Sequence, residues 1–150
     1  MSPRAAWRLE TLGFERVYDY TACKADWAAA GLAREGPAAS TPSAGDAADP
    51  NVPTCLLNED LVSVRARVRA SGWEQCIVIN EERIVLGRVG REALATDDQR
   101  SVEEAMSEGP GTIRPNLPLR ELEQRLERQN LRAALVTTNE GRLVGVVRRN

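Results

Sequence analysis

Cys23, Cys55 and Cys76 are the strongest nucleophiles in this sequence, and no histidine accompanies them. Without imidazole there is no Cys-His pair, no Ser-His-Asp triad and no His-bearing zinc site within one chain. Cys23 is followed by Lys24, and that lysine is the only adjacent charge able to lower its thiol pKa, so a persulfide carrier ranks lowest among the functions considered. An odd number of cysteines without paired spacing reads as reduced thiols. Asp46, Asp49, Asp97 and Asp98 lie on polar stretches where carboxylates are solvated, so no metal site is expected. Arg65, Arg67 and Arg69 cluster, as do Arg148 and Arg149. A net charge of −2 nonetheless gives no global field for nucleic acid. Trp7, Trp27 and Trp73 are expected to pack rather than to stack on bases, although Trp73 stands where it could line a cleft.

The elements that must position these groups follow from hydrophobic patterning. No apolar run approaches the roughly 20 residues needed to cross a bilayer, and no signal core opens the chain, so a cytoplasmic location is expected. Residues 3 to 32 carry structure signals. Residues 33–51 include the small-residue stretch Gly36 to Gly45 and read as a flexible linker. From Val52 onward apolar positions recur densely, and a shift of 58 residues lays this part of the chain on itself without a gap. Thr54 falls on Thr112, Leu61 on Leu119, Val64 and Val68 on Leu122 and Leu126, Ile77-Val78 on Leu135-Val136, and Gly87 on Gly145.

Each copy reads as a short opening strand, a helix with one buried stripe, and a hairpin. The helix stripes are Leu61, Val64, Val68 and Leu119, Leu122, Leu126, with Gly72 and Asn130 suited to C-caps. The hairpins run from Cys76 to Val89 and from Ala134 to Val147. A helix from about Arg91 to Ala95 follows the first copy, and Ser101 with Glu104 has capping-box spacing ahead of the second.

This tandem β-α-β-β-α unit resembles a pair of CBS domains, a Bateman module. The resemblance is carried by Gly111 to Pro115, Leu119 to Leu126, and above all Leu135 to Val147, and more loosely by Ile77 to Asn80, Arg83 to Val89 and Val102 to Met106. It implies a mixed α/β (α+β) fold with two pseudo-twofold-related repeats, over residues 52–100 and 101–150. It also implies a cleft for adenosine ligands such as AMP, ATP or S-adenosylmethionine, pairing into homodimers, and regulation of a partner protein. No catalysis, metal, nucleic acid or membrane is implied.

The family's ligand motif is Gly, apolar, x, Ser or Thr, two spacers, then Asp. Carried onto this chain, it begins at Gly87 and at Gly145. Gly90 and Arg148 take the Ser/Thr positions, Ala93 takes the first Asp position, and the second lies past Asn150. Losing a charge-assisted bond to ribose costs roughly 1.5–3 kcal/mol, about ten- to a hundredfold in affinity. The resemblance offers substitutes: Arg91, Arg148 and Arg149 for phosphate, Glu92 in place of the missing acid, and Thr54 and Thr112 on the opening strands beside adenine.

Residues 1–32 resemble the C-terminal end of a rhodanese domain in Ala5 to Leu9, Leu12 to Tyr18 and Trp27 to Leu32. That resemblance implies an α-β-α appendage with a strand at Val17 to Tyr20 between two helices. The nucleophile of that family would fall at or before Met1, and Cys23 stands near a family glycine. The expected function is a non-catalytic sensor of an adenine nucleotide. A ligand-free scaffold for dimerisation and protein interaction is the alternative.

Overall fold

A computed structural model describes residues 3–18, 23–37, 39–96 and 99–149. The elements in order are α1 (Pro3–Thr11), α2 (Cys23–Ala29), α3 (Ala44–Ala47), β1 (Thr54–Cys55), α4 (Leu61–Ser71), β2 (Cys76–Ile79), β3 (Val85–Val89), α5 (Arg91–Ala95), α6 (Val102–Ala105), β4 (Ser107–Glu108), β5 (Thr112–Ile113), α7 (Leu119–Arg128), β6 (Ala133–Thr137) and β7 (Leu143–Arg148). One sheet has the order β1-β2-β3-β4 and the other β5-β6-β7.

The repeat seen in the sequence is a repeat in register. Thr54 pairs with Ile77 and Cys55 with Val78, and 58 residues on Thr112 pairs with Leu135 and Ile113 with Val136. The bulge between Val78 and Ile79 recurs between Val136 and Thr137. The helix ends match as well, since Gly72 (φ 69°) and Asn130 (φ 49°) both turn left-handed after α4 and α7.

Side-chain alternation along the central strands builds the core. Cys76 and Val78 face α4, in a cluster with Leu61, Val64 and Val68. Val136 and Ala134 meet Leu122 and Leu126 of α7 in the same way. The opposite faces, Ile77 and Ile79 with Leu135, Leu143 and Val146, pack against each other in a third cluster that joins the two halves. The hairpin turns also touch. The Val85 N–H donates to Gly141 O at 3.0 Å, and the Leu143 N–H donates to Arg83 O at 2.9 Å. These two bonds are equivalent under the 58-residue shift and bracket the Ile84–Arg142 bridge on the pseudo-twofold axis.

Two expectations are corrected. The stretch 33–51 is not a linker throughout. Ser43 and Ala44 are buried, and α3 docks on the second repeat. The Ala44 N–H donates to Leu117 O at 2.8 Å, and Asp49 exchanges hydrogen bonds with Val146 at 3.0 and 3.1 Å. Small residues are needed there because the packing is tight: a Cβ on Gly45 would lie 3.0 Å from the Pro115 Cβ. The same shift of 58 equates this segment with 101–107, where Val102 N–H bonds Glu59 O and Ser107 pairs with Arg88. Residues 101–108, which open the stretch expected as the second repeat, also add β4 to the edge of the first sheet, and 43–49 border the second.

The second correction concerns the appendage. Val17 and Tyr18 belong to no strand, for a single extended segment has no ladder partner to hold it. Asp19 and Tyr20 lie outside the described residues, as do Asp97, Asp98 and Asn150. The helix expected at Lys24 to Ala30 is present as α2.

Candidate functional site

Four chain segments meet at one end of the two hairpins. They are the turn from α4 into β2 (Gly72 to Gln75), the approach to β6 (Leu131 to Ala133), the start of α5 (Gly90 to Ala93) and the end of β7 at Arg148. They enclose a cleft of about 950 Å³. Arg88, Arg91, Arg100, Arg132 and Arg148 line it against the carboxylates of Glu74 and Glu92. Among the described residues, five guanidinium groups face two carboxylates, which makes this stretch of the wall cationic in a protein of net charge −2.

The cationic groups are held in place. Arg91 forms a salt bridge with Glu74, which holds the Glu74 carboxyl below its usual range. The guanidinium of Arg148 lies 4.2 Å from the centroid of the Trp73 ring, a cation–π contact. Its other neighbour is the Asp49 carboxylate, at 3.9 Å. Trp73 is half-buried, packed against both the first core and the central cluster while its ring lines the cleft.

The expected site residues separate into two groups. Arg91, Glu92 and Arg148 come together in the cleft. Thr54 and Thr112 do not line it. They sit in their ladders opposite Ile77 and Leu135, and the Thr54 carbonyl accepts from Arg67. The position of each threonine is one step before the strand residue that packs inward, which turns it away from this mouth. Arg149 is exposed, with its N–H on Arg132 O at 2.9 Å, and does not line the cleft either. The sequence reading missed Glu74, Arg88, Arg100 and Arg132, and it gave Trp73 chiefly to the core. Their common signal is position: each lies near an end of β2, β3, β6 or α6, and the apposition of the two repeats brings Arg132 to the residues of the first.

Cys23 stands apart from the other two cysteines, which touch each other. Cys23 is exposed, whereas Cys55 and Cys76 are buried in the first core. Contact with Cys55 and burial push the Cys76 thiol above its usual range, which keeps it protonated and unreactive.

The comparisons with known proteins bear on this geometry. Residues 102–150 match the family model of the CBS domain. Solved CBS domain pairs superimpose on both repeats together. The pair of protein MJ0100, in complex with 5′-methylthioadenosine and S-adenosyl-L-methionine, aligns with a TM-score of 0.62 at 15% identity, over 72% of this chain and 90% of that one. The fold is that of a CBS domain pair. CBSX2 in complex with AMP aligns at 0.65 and 16% identity, over 72% of this chain and 90% of the other. The cytosolic domain of the Mg2+ channel MgtE in complex with ATP aligns at 0.64 and 21% identity, over 71% and 46%. No curated protein matches the sequence. Nothing in these comparisons supports the rhodanese resemblance of residues 1–32. Among the described residues, no helix is long and apolar enough to cross a membrane.

Proposed function

We propose that the protein is a non-catalytic regulatory module whose cleft senses a phosphate-bearing adenine nucleotide. The observation that carries this reading is the set of five arginines around a cleft of about 950 Å³ with an indole in its wall. That volume lies at the upper end of small-molecule sites. Arginine is the side chain best shaped to grip phosphate, with two parallel donors per contact. Known structures of the same fold carry AMP, ATP and S-adenosylmethionine, which supports an adenosine ligand. The charge in this cleft favours the anionic members of that group and opposes the cationic sulfonium.

In this reading Arg91 leaves Glu74 for a phosphate, Arg148 and Arg88 add further donors, and Glu92 accepts from the ribose hydroxyls in place of Ala93. Isothermal titration with AMP, ATP and S-adenosylmethionine tests it. Heat and a raised melting temperature with the phosphorylated ligands, weaker or absent with S-adenosylmethionine, are expected. Neither heat nor shift at millimolar AMP or ATP would refute it. A second reading, a ligand-free scaffold that dimerises and recruits a protein partner, draws on Ala93 standing where a ribose acid would be. Sedimentation of the full chain as a monomer at high concentration would count against that one.

A further inference from the structure

Away from the cleft, α2 of the appendage lies over the second repeat and leaves a groove that shares no lining residue with it. The first chamber, about 610 Å³, is walled by Tyr18, Trp27, Lys24, Arg114 and Asn139, with Cys23 at its edge. A second, about 470 Å³, shares Lys24, Trp27 and Asn116 with the first and runs on past Ala28, Pro42 and Pro118. Both chambers are mostly apolar in their walls.

Charge is distributed unevenly along the groove. Among the described residues, no carboxylate lines the first chamber, where two cations sit, whereas Arg34 and Glu35 both line the second. Among the described residues, Lys24 has no hydrogen-bonding or ion-pair partner. Arg114 donates to Thr138 O and Thr137 Oγ1 through one terminal nitrogen, has no carboxylate partner among the described residues, and keeps its other nitrogens for a ligand. Asn139 adds an amide whose Nδ2 lies 2.9 Å from Cys23 Sγ. A lysine without a partner among the described residues and a half-used arginine, at the head of a long and mostly apolar channel, match an amphiphile with a negative head.

We propose that this groove binds a small amphiphilic anion. Its carboxylate or phosphate meets Lys24 and Arg114, and its apolar body lies along Trp27 toward Pro42 and Pro118. The site is independent of nucleotide binding in the cleft, and its occupancy would couple the appendage to the second repeat.

Cys23 supplies the readout, since it is exposed while Cys55 and Cys76 are buried. The full chain is alkylated with iodoacetamide, and modification of Cys23 is followed by mass spectrometry in octanoate, octanamide or acetate. The Trp27 indole N–H resonance is recorded in parallel. Octanoate is expected to slow alkylation several-fold and shift the Trp27 resonance. Octanamide, which has the tail without the charge, and acetate, which has the charge without the tail, should need at least tenfold higher concentrations. Lys24→Gln, at an exposed side chain, should weaken octanoate about tenfold at an unchanged melting temperature. Equal protection by octanamide, undiminished protection in Lys24→Gln, or no response to millimolar octanoate in the unsubstituted protein would each overturn the proposal.

Discussion

Gly145→Ala should unfold this protein more easily by about 2–4 kcal/mol, although it adds one methyl group. Gly145 does not hold the positive φ that would bar a side chain, so the cost is steric. Its added Cβ would stand 2.6 Å from the Asp49 carbonyl oxygen and 2.8 Å from the carbonyl carbon, both backbone atoms without a rotamer to escape into. The segment at Asp49 must lift, and with it go the two bonds exchanged with Val146. Overpacking of this kind costs about 1–3 kcal/mol, and each lost backbone bond about 0.5–1.5 kcal/mol. Alanine returns about 0.4–1 kcal/mol by restricting the unfolded chain. Gly111→Ala is the control, since nothing lies within 4 Å of its Cβ and its φ is not positive; it should be neutral or slightly stabilising. Urea titration of both variants decides the matter. A Gly145→Ala midpoint indistinguishable from that of Gly111→Ala would mean that residues 43–49 do not border the second sheet in solution.

Three further outcomes are expected. Arg91→Gln removes an exposed ion pair and should leave the melting temperature essentially unchanged, while AMP or ATP affinity measured by titration falls about tenfold. Hydrogen bonds from the Ser43 hydroxyl and N–H, each 2.8 Å, hold the Asp46 carboxyl below its usual range. With the folded pKa depressed, the stabilisation from this contact is complete above the unfolded value of about 4 and is lost as pH falls through the lower folded value. An NMR titration of Asp46 should give a midpoint below that of an unfolded peptide, and Asp46→Asn should flatten the acid limb of the stability curve. Arg83 (φ 63°) occupies the left-handed turn position that Gly141 (φ 85°) fills in the other repeat. Arg83→Gly should therefore raise the melting temperature modestly, because relief of about 1–2 kcal/mol exceeds glycine's entropic cost of about 0.5–1 kcal/mol.

How much could be read in advance depended on whether a feature was local. The helix stripes, both C-caps and the two hairpins follow from periods of 3.6 and 2, and each stands where the pattern placed it. Arg91, Glu92 and Arg148 were picked out by carrying the resembled family's ligand motif onto the ends of β3 and β7, and they line the cleft. Trp73, Arg88 and Arg132 were not legible in that way, since no periodicity records which surfaces two packed repeats bring together. The segment 43–49 was misread on composition: Ala44, Gly45 and Ala47 look like a spacer, yet they are small because α3 lies tight against Pro115. A signal was present all the same, for Ser43 and Asp46 stand 58 positions before Ser101 and Glu104 and make the same contact of a serine N–H and hydroxyl with a carboxylate. Of the strand expected at Val17 to Tyr20, the described residues Val17 and Tyr18 have no ladder partner among the described residues.

The bond between Asp49 and Val146 also sets an order of assembly. The first sheet has all its strands once residue 108 has left the ribosome. The other must wait for β7, the last strand of that sheet, and then recapture α3, synthesised roughly a hundred residues earlier. Until that loop closes, Ala44 and the backbone around Asp49 stay wet, and the nascent chain carries an open edge. That late ring closure joins residues far apart in sequence, a class of contact that loop entropy makes slower than local hairpin pairing, and until it is made the second repeat keeps an edge open to mispairing.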